Sequence, residues 1–224
     1  MQVVDRYNIE REAISFGMSY FDRYVMKFPN ECTTKEVCQL IAVTSLYLAV
    51  KVHDMKRSGT IEFFSQLSHD RFSTKDIEAM EQKILVGLGW YMNPATPQSF
   101  VYHFVQLLAA ILPESAQSSL SHIYEVANYI AEVSLLRSSI SHVKASILAF
   151  ASFIIAIGEA KETVISQGYY DTVVSSIFSY NFASSNDTSL VTETIMDTLQ
   201  SNEAHLNLQQ LFEKLDPKSL TYKH

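Results

Sequence analysis

The sequence predicts an all-α protein of two tandem five-helix bundles, each packed around a buried third helix. Its 224 residues include only 6 Gly and 5 Pro, which favours helices with few turns over a many-stranded sandwich. Hydrophobic residues make up 47% and charged residues 18% of the chain, enough apolar material for a sizeable core. Two stretches that are apolar on nearly every face, about 105 residues apart, indicate that one helical plan occurs twice.

The first bundle is predicted to occupy residues 1–93. Apolar residues share a helical face over 3–7 with no capping residue before them, so we expect this first helix to begin upstream of the printed sequence. A second helix is predicted over 10–26, where apolar residues recur at helical spacing. Pro29 ends it.

The third helix is predicted to be the central rod of this bundle. Thr33 and Glu36 form a capping box, in which each side chain satisfies one free amide at the start of the helix. From there to residue 52 the chain is apolar on nearly every side. Such a helix is surrounded by other helices.

Two more helices complete the first bundle before a break. A short helix is predicted over 61–67 and a longer one over 74–90, which Ser73 caps with Asp76 at its third position. Two prolines then stiffen residues 93–97, because proline fixes its own φ and pushes the preceding residue out of the helical region. We place the domain boundary at this break.

The second bundle is predicted over residues 97–201, followed by a tail over 202–224 that includes a short helix over 206–215. The stretch 143–157 is again apolar all round and is predicted to be the core rod of this bundle. A Ser/Asn-rich stretch over 181–189 is interpreted as a loop. The five helices are predicted over residues 98–112, 118–136, 143–157, 170–180 and 190–199.

Charge and motif content argue against catalysis and against nucleic-acid binding. The formal net charge is −7 and neither half of the chain has a basic excess, so no groove binder is expected. The sequence has no G-x-S-x-G, no phosphate-cradling glycine loop and no H-E-x-x-H, and its histidines never fall at i, i+4. We therefore predict a binding protein with no enzymatic activity, no metal and no cofactor.

The remaining polar residues and the cysteines are given their ordinary interpretation. Cys32 and Cys38 form no C-x-x-C and are too few for a disulfide framework, so free thiols in a reducing compartment are predicted. The longest apolar run is shorter than the roughly 18–20 residues that span a membrane. We expect a soluble protein of the nucleus or cytoplasm with no membrane span. Glutamates on amphipathic helices are predicted to be solvated (Glu10, Glu12, Glu125, Glu132), and Gly87 and Gly89 to mark close helix packing.

Four stretches, in order, resemble the cyclin family. Residues 19–24 (Ser-Tyr-Phe-Asp-Arg-Tyr) are similar to its aromatic-Asp-Arg-aromatic signature, and residues 46–51 (Leu-Tyr-Leu-Ala-Val-Lys) to the end of its central helix. Residues 77–85, followed by Gly-Trp, resemble its fifth helix, and 129–136 resemble part of the second cyclin fold. The resemblance implies that this chain carries two cyclin folds.

The resemblance also implies a kinase-binding site. Lys51 and Glu81 match the two family positions that grip the regulatory helix of a kinase, and Leu48 and Leu85 match the apolar contacts beside them. A lysine ammonium on a flexible stem satisfies carbonyls or carboxylates of a partner. Both charges are expected to face solvent around one apolar patch. Taken without the family, Lys51 is an ordinary lysine favoured by the helix dipole and Glu81 a solvated helix position.

Other matched positions carry different implications. Asp22 and Arg23 resemble a family pair that supports the fold internally. Gln39 matches a residue that borders a substrate-docking patch, although one polar residue cannot make a patch. Many cyclins have two acids after the lysine, whereas Val52, His53 and Asp54 follow it here, which leaves the identity of the kinase open.

The sequence therefore predicts a regulatory subunit that activates a cyclin-dependent protein kinase and forms a heterodimer with it. The chain would bias an existing equilibrium of the kinase toward its active arrangement. Two alternatives remain. A general-transcription-factor-like subunit would need a basic DNA-facing surface, and a scaffold would use the same fold without a kinase.

Overall fold

The computed structural model describes residues 9–54, 60–113, 117, 119–135, 143–161, 171–172, 174–176 and 185–199. All secondary structure in these residues is helical, so the predicted all-α class is confirmed. The chain separates into two compact units, Met1–Pro94 and Ala95–His224. The helix predicted over 3–7 lies outside the described residues. So does most of the helix predicted over 170–180.

The first unit is organised around its second described helix. That helix, α2 (Lys35–His53), contacts each of the other three described helices of the unit, which confirms the prediction of a central rod. Among the described residues it is also the one helix long and apolar enough, by length and composition, to cross a membrane. Its central position accounts for that composition, since a helix surrounded by helices is apolar on all sides. The helices are α1 (Glu12–Lys27), α2 (Lys35–His53), α3 (Ile61–Leu67) and α4 (Thr74–Gly87).

The first residues of these helices follow local capping rules, with one correction. Thr34, not Thr33, caps α2, and its hydroxyl accepts a hydrogen bond of 3.3 Å from the amide of Val37. Two adjacent threonines offer the same chemistry, and only the extended backbone of Thr34 places its oxygen over the helix. The capping box of Ser73 and Asp76 at α4 is confirmed, and hydrogen bonds from Ser73 lower the pKa of Asp76.

The end of α4 differs from the prediction by three residues. The helix stops at Gly87, because Gly89 and Trp90 adopt left-handed backbone angles, with φ of 61° and 60°. The amide of Trp90 donates to the carbonyl of Leu85 over 2.9 Å, which closes the helix end. A Cβ added to Gly89 would meet nothing within 4 Å. Its predicted role in close helix packing is therefore wrong, and glycine suits this position through its φ.

Gly87 does mark close packing. A Cβ built on it would lie 2.8 Å from Cε2 of Phe28 and 2.9 Å from Cε2 of Tyr24. The Tyr24 ring is 1% exposed, and its hydroxyl donates to Glu31 over 2.8 Å, so it has little freedom to move. The end of α4 can therefore approach α1 this closely only without a side chain at residue 87.

Gly87→Val is expected to lower the free energy of unfolding by about 1–3 kcal/mol, because the new side chain must displace these two rings. Urea unfolding followed by circular dichroism would measure the loss. Val86→Ala is the matched control, since Val86 is 70% exposed and its truncation should change stability by no more than about 0.5 kcal/mol. Equal stability of Gly87→Val and the parent would contradict the packing described.

The cysteine prediction is wrong. Cys32 and Cys38 are joined by a disulfide, with Cα atoms 5.2 Å apart, a separation that a disulfide can bridge. The turn after α1, in which the amide of Glu31 donates to the carbonyl of Phe28, brings Cys32 close to the first turns of α2. The pairing depends on this turn, which cysteine spacing alone does not reveal.

The second unit repeats the plan around the helix Ala145–Lys161, which contacts each of the other three long helices described in this unit and so confirms the predicted core rod. The last helix begins at residue 185, so the loop predicted over 181–189 is wrong from that residue on, and 181–184 lie outside the described residues. The tail over 202–224 and its predicted helix also lie outside them. The helices are α5 (Pro97–Ile111), α6 (Leu120–Leu135), α7 (Ala145–Lys161) and α8 (Ser185–Leu199).

Burial in the second unit corrects two expectations from the sequence. Phe153 on α7 is 0% exposed, whereas its neighbour Ile154 is only partly buried. An apolar helix therefore still has a less covered side, which composition alone does not locate. Glu132 was predicted to be solvated and is 2% exposed, because it lies among the buried residues that end α6. Glu125, two turns earlier on the same helix, is exposed as predicted.

Candidate functional site

The structure brings together the two charges that the sequence singled out. Lys51 lies in the last turn of α2 and Glu81 in the middle of α4, and Nζ of Lys51 is 2.8 Å from Oε1 of Glu81. The lysine side chain is 51% exposed and the glutamate side chain 13%. The expectation that both face solvent is therefore right for Lys51 and wrong for Glu81. In the free chain the two form an ion pair at the rim of the bundle.

Tyr47, one turn before Lys51, forms the inner wall of this site. Nζ of Lys51 lies 5.3 Å from the centroid of the Tyr47 ring, and that ring packs edge-on against Phe64 with centroids 5.4 Å apart. The hydrogen bond to Glu81 raises the pKa of Lys51, a bond with Tyr47 adds to this, and partial burial opposes both. The ammonium therefore keeps its charge and is available to a partner.

The apolar residues predicted beside the ion pair divide into one core residue and one rim residue. Leu48 is 1% exposed and belongs to the core of the first unit, so its predicted place in a surface patch is wrong. It lies one turn before Lys51, where neighbouring helices still cover α2 on all sides. Leu85 is partly buried and packs against the same core from α4. It remains near the surface, four residues after Glu81.

Two apolar residues that sequence reasoning did not assign are exposed at the ends of α2 and α4. Val52 follows Lys51 directly and is 43% exposed, and Trp90 is 68% exposed just beyond the end of α4. The carbonyl of Met92, two residues after Trp90, lies 2.8 Å from the ring of His53, which places this segment at the end of α2. We call Lys51, Val52, Glu81, Leu85 and Trp90 the rim surface. The only available signal in the sequence was a lone tryptophan after a helix-ending Gly.

Arg23 holds the segment that carries Trp90. Its Nη1 donates to the carbonyl of Tyr91 over 3.0 Å, and its guanidinium carbon lies 5.0 Å from the centroid of the Tyr91 ring. These contacts suit the internal support that the sequence predicts for this residue. Asp22 is partly buried on the same helix, and burial raises the pKa of its carboxyl. Its structural role stays a prediction.

Gln39 lies apart from the rim surface, in the first half of α2. Its side-chain oxygen accepts a hydrogen bond from Nη1 of Arg71, in the connection before α4. This bond fixes the amide and leaves its NH₂ group as the donor for any partner. A role for Gln39 beside a substrate-docking patch stays a prediction. Within the described parts of the chain, no group of three or more His, Cys, Asp or Glu side chains could hold a metal ion.

Two family models match the chain. The one described as "Cyclin, N-terminal domain" matches residues 1–93, and the one described as "Cyclin, C-terminal domain" matches 95–222. Cyclin-D3-2 of Arabidopsis thaliana is 30% identical over 106 residues, which cover 47% of this chain and 29% of that protein. G1/S-specific cyclin-E of Caenorhabditis elegans is 30% identical over 139 residues, 62% of this chain and 25% of that protein. The chain thus matches only about a quarter of the length of these relatives.

Two solved structures share the fold. A viral cyclin from herpesvirus saimiri superposes with a TM-score of 0.68 at 18% identity, covering 88% of this chain and 80% of that one. A chain of the CAK complex of Chaetomium thermophilum, bound to ATP-gamma-S, superposes with a TM-score of 0.60 at 15% identity. It covers 98% of this chain and 66% of the other. At these sequence identities the superpositions show only that the fold is shared.

Proposed function

The chain belongs to the cyclin family, and on that premise we propose that it binds and activates a cyclin-dependent protein kinase. In this proposal its first unit docks on the mobile regulatory helix of the kinase and forms a heterodimer with it. The chain itself performs no chemistry. The observation that carries the proposal is the Lys51–Glu81 ion pair at the rim of the bundle, with Val52 exposed next to Lys51 in the chain and Trp90 exposed just beyond the end of α4.

The charges support docking because their pairing in the free chain is easily exchanged. An ion pair with a half-exposed member contributes only about 0–1 kcal/mol, so a partner loses little by separating Lys51 from Glu81. Lys51 can then satisfy carbonyls or carboxylates of the kinase, and Glu81 can accept its amides. The ion pair therefore acts as a preformed polar grip on a partner helix.

The apolar part of the rim surface supports docking through burial. Trp90 and Val52 expose apolar area that a partner helix can cover, and tryptophan is among the residues that contribute most at protein interfaces. Burying apolar surface stabilises a complex by roughly 25 cal/mol per Å². A helix with one apolar side and polar groups flanking it fits such a surface.

Activation would follow from differential binding. A kinase whose regulatory helix alternates between two positions shifts toward the position that the chain binds better. Docking on that helix would complete the lysine–glutamate pair that phosphoryl transfer needs in the kinase. The chain thus contributes binding energy and the kinase contributes the catalytic groups.

The test is phosphorylation of a histone substrate by a panel of cyclin-dependent kinases, each with and without the chain. We expect at least one kinase to be stimulated. Trp90→Ala should weaken its binding by about tenfold or more, because truncating a central interface tryptophan commonly costs about 2 kcal/mol. The matched control is Leu190→Ala in the second unit, which removes a side chain that is 66% exposed and should change nothing.

Failure to stimulate any kinase, with the chain shown to be folded, would contradict the proposal. Recovery of the chain from its own cells in complexes without a kinase would favour the scaffold alternative. DNA binding that weakens steeply as salt rises would favour the transcription-factor-like alternative.

A further inference from the structure

A polar cluster at the end of α2 joins three segments of the first unit. Nε2 of His53, the last residue of α2, lies 2.8 Å from the hydroxyl of Tyr20 on α1 and 2.8 Å from the carbonyl oxygen of Met92. The hydroxyl of Tyr20 also donates to that carbonyl. The imidazole stacks on the ring of Phe16, with centroids 3.5 Å apart and an angle of 4° between the planes.

The protons of this cluster can be assigned from its acceptors. A carbonyl oxygen only accepts, so His53 must carry a proton on Nε2 to approach the oxygen of Met92 this closely. Burial raises the pKa of Tyr20 to about 12, so its hydroxyl keeps its proton. The two lone pairs of the Met92 oxygen then take one donor each, from α1 and from α2.

The backbone at Trp90 is held by two hydrogen bonds in addition to those of the cluster. Its own amide is bonded to the carbonyl of Leu85, and the next carbonyl, that of Tyr91, accepts from Arg23. The backbone of Trp90 is left-handed, a conformation that costs an ordinary residue roughly 1 kcal/mol and persists only where its surroundings impose it. The carbonyls of residues 91 and 92 are the anchors that impose it from the C-terminal side.

We propose that Tyr20, His53 and the Met92 carbonyl form a latch that fixes the segment carrying Trp90, which makes His53 a positioning residue for kinase docking. The proposal rests on the function proposed above. The protonated Nε2 of His53 can donate to a carbonyl, whereas a carboxylate in its place would have no proton to donate. A preorganised Trp90 binds more tightly because less side-chain and backbone freedom is lost on association.

The first test follows Trp90 in the free chain, where it is the only tryptophan and thus a specific fluorescent probe. His53→Phe keeps an aromatic ring against Phe16 but removes the Nε2 proton, and Tyr20→Phe removes the other donor. Time-resolved anisotropy should show a larger amplitude of nanosecond indole motion in both variants. His53→Gln, whose amide can donate to the carbonyl, should restore the parent amplitude.

Thr34→Ala is the control, because it removes the cap of α2 and lowers stability without touching the latch. It should leave the indole motion unchanged. Parent-like indole motion in folded His53→Phe and Tyr20→Phe would overturn the latch. If one of the two does not fold, the other decides.

The second test measures affinity for the kinase that the chain stimulates most. His53→Phe should raise the Kd about tenfold, and His53→Gln should recover most of that loss. A looser Trp90 with unchanged affinity would overturn the positioning role. If the parent chain binds no kinase while the variants still loosen Trp90, the latch stands and the proposed function fails. The two failures are thus distinguishable.

Discussion

Phe153→Asp is expected to unfold the second unit. Phe153 is 0% exposed on α7, and its ring centroid lies 5.6 Å from that of Phe104 on α5. Removing a buried phenylalanine costs about 3–5 kcal/mol, and leaving an unpaired carboxylate in its place adds several more. That total rivals the whole stability of a typical domain, about 5–15 kcal/mol. Loss of helical circular dichroism and a missing or early urea transition would show it.

Two other substitutions to aspartate on the same helix, Gly158→Asp and Ile154→Asp, provide matched controls. Gly158 is exposed and a Cβ there would meet nothing within 4 Å, so Gly158→Asp introduces the same charge without burying it. Its stability should stay within about 1 kcal/mol of the parent. Ile154→Asp should fall between the two, because Ile154 is partly buried. A Phe153→Asp chain that melts within about a degree of the parent would show that α7 is not the core rod.

Lys51→Ala and Glu81→Ala are each expected to lower kinase affinity by about 2–5 kcal/mol. Each change leaves a group of the kinase unpaired in a contact from which water is partly excluded. Because both residues act on one partner helix, the loss in the double variant should be smaller than the sum of the two single losses. Kinase affinity measured for the two single variants and the double variant would show the coupling.

The same variants should leave the fold intact, since an ion pair whose lysine is half-exposed contributes little to stability. Melting temperatures of all three should therefore stay close to that of the parent. Glu78→Ala and Lys83→Ala are the matched controls, because both residues are exposed on α4 and neither belongs to the rim surface. Unchanged affinity in a well-folded double variant would mean that the kinase docks elsewhere.

Helices and caps were predictable because their causes are local. A short helix was predicted where α3 lies, and Ser73 with Asp76 predicted the start of α4. Errors arose where local signals compete. Thr33 and Thr34 offer the same hydroxyl one residue apart, and the left-handed angles of Gly89 and Trp90 end α4 earlier than its apolar pattern suggests.

The candidate site was predictable in its charges and not in its apolar residues. The motif positions of Lys51 and Glu81 placed both at one site, and the structure joins them at 2.8 Å. Leu48 was predicted to be a surface contact and is buried. Val52 and Trp90 are exposed, and no sequence motif indicates that they are. A side chain is covered or exposed according to which helix lies over it.

By itself, the sequence determined that this chain is all-helical and that one plan occurs twice. Both properties follow from the spacing of apolar residues, a pattern that is read within a few turns of one helix. Tertiary structure alone decided the pairing of Cys32 with Cys38 and the latch of His53 on Met92. Such contacts join residues through turns and packing between helices, and periodicity carries no information about which distant backbone carbonyl a side chain meets.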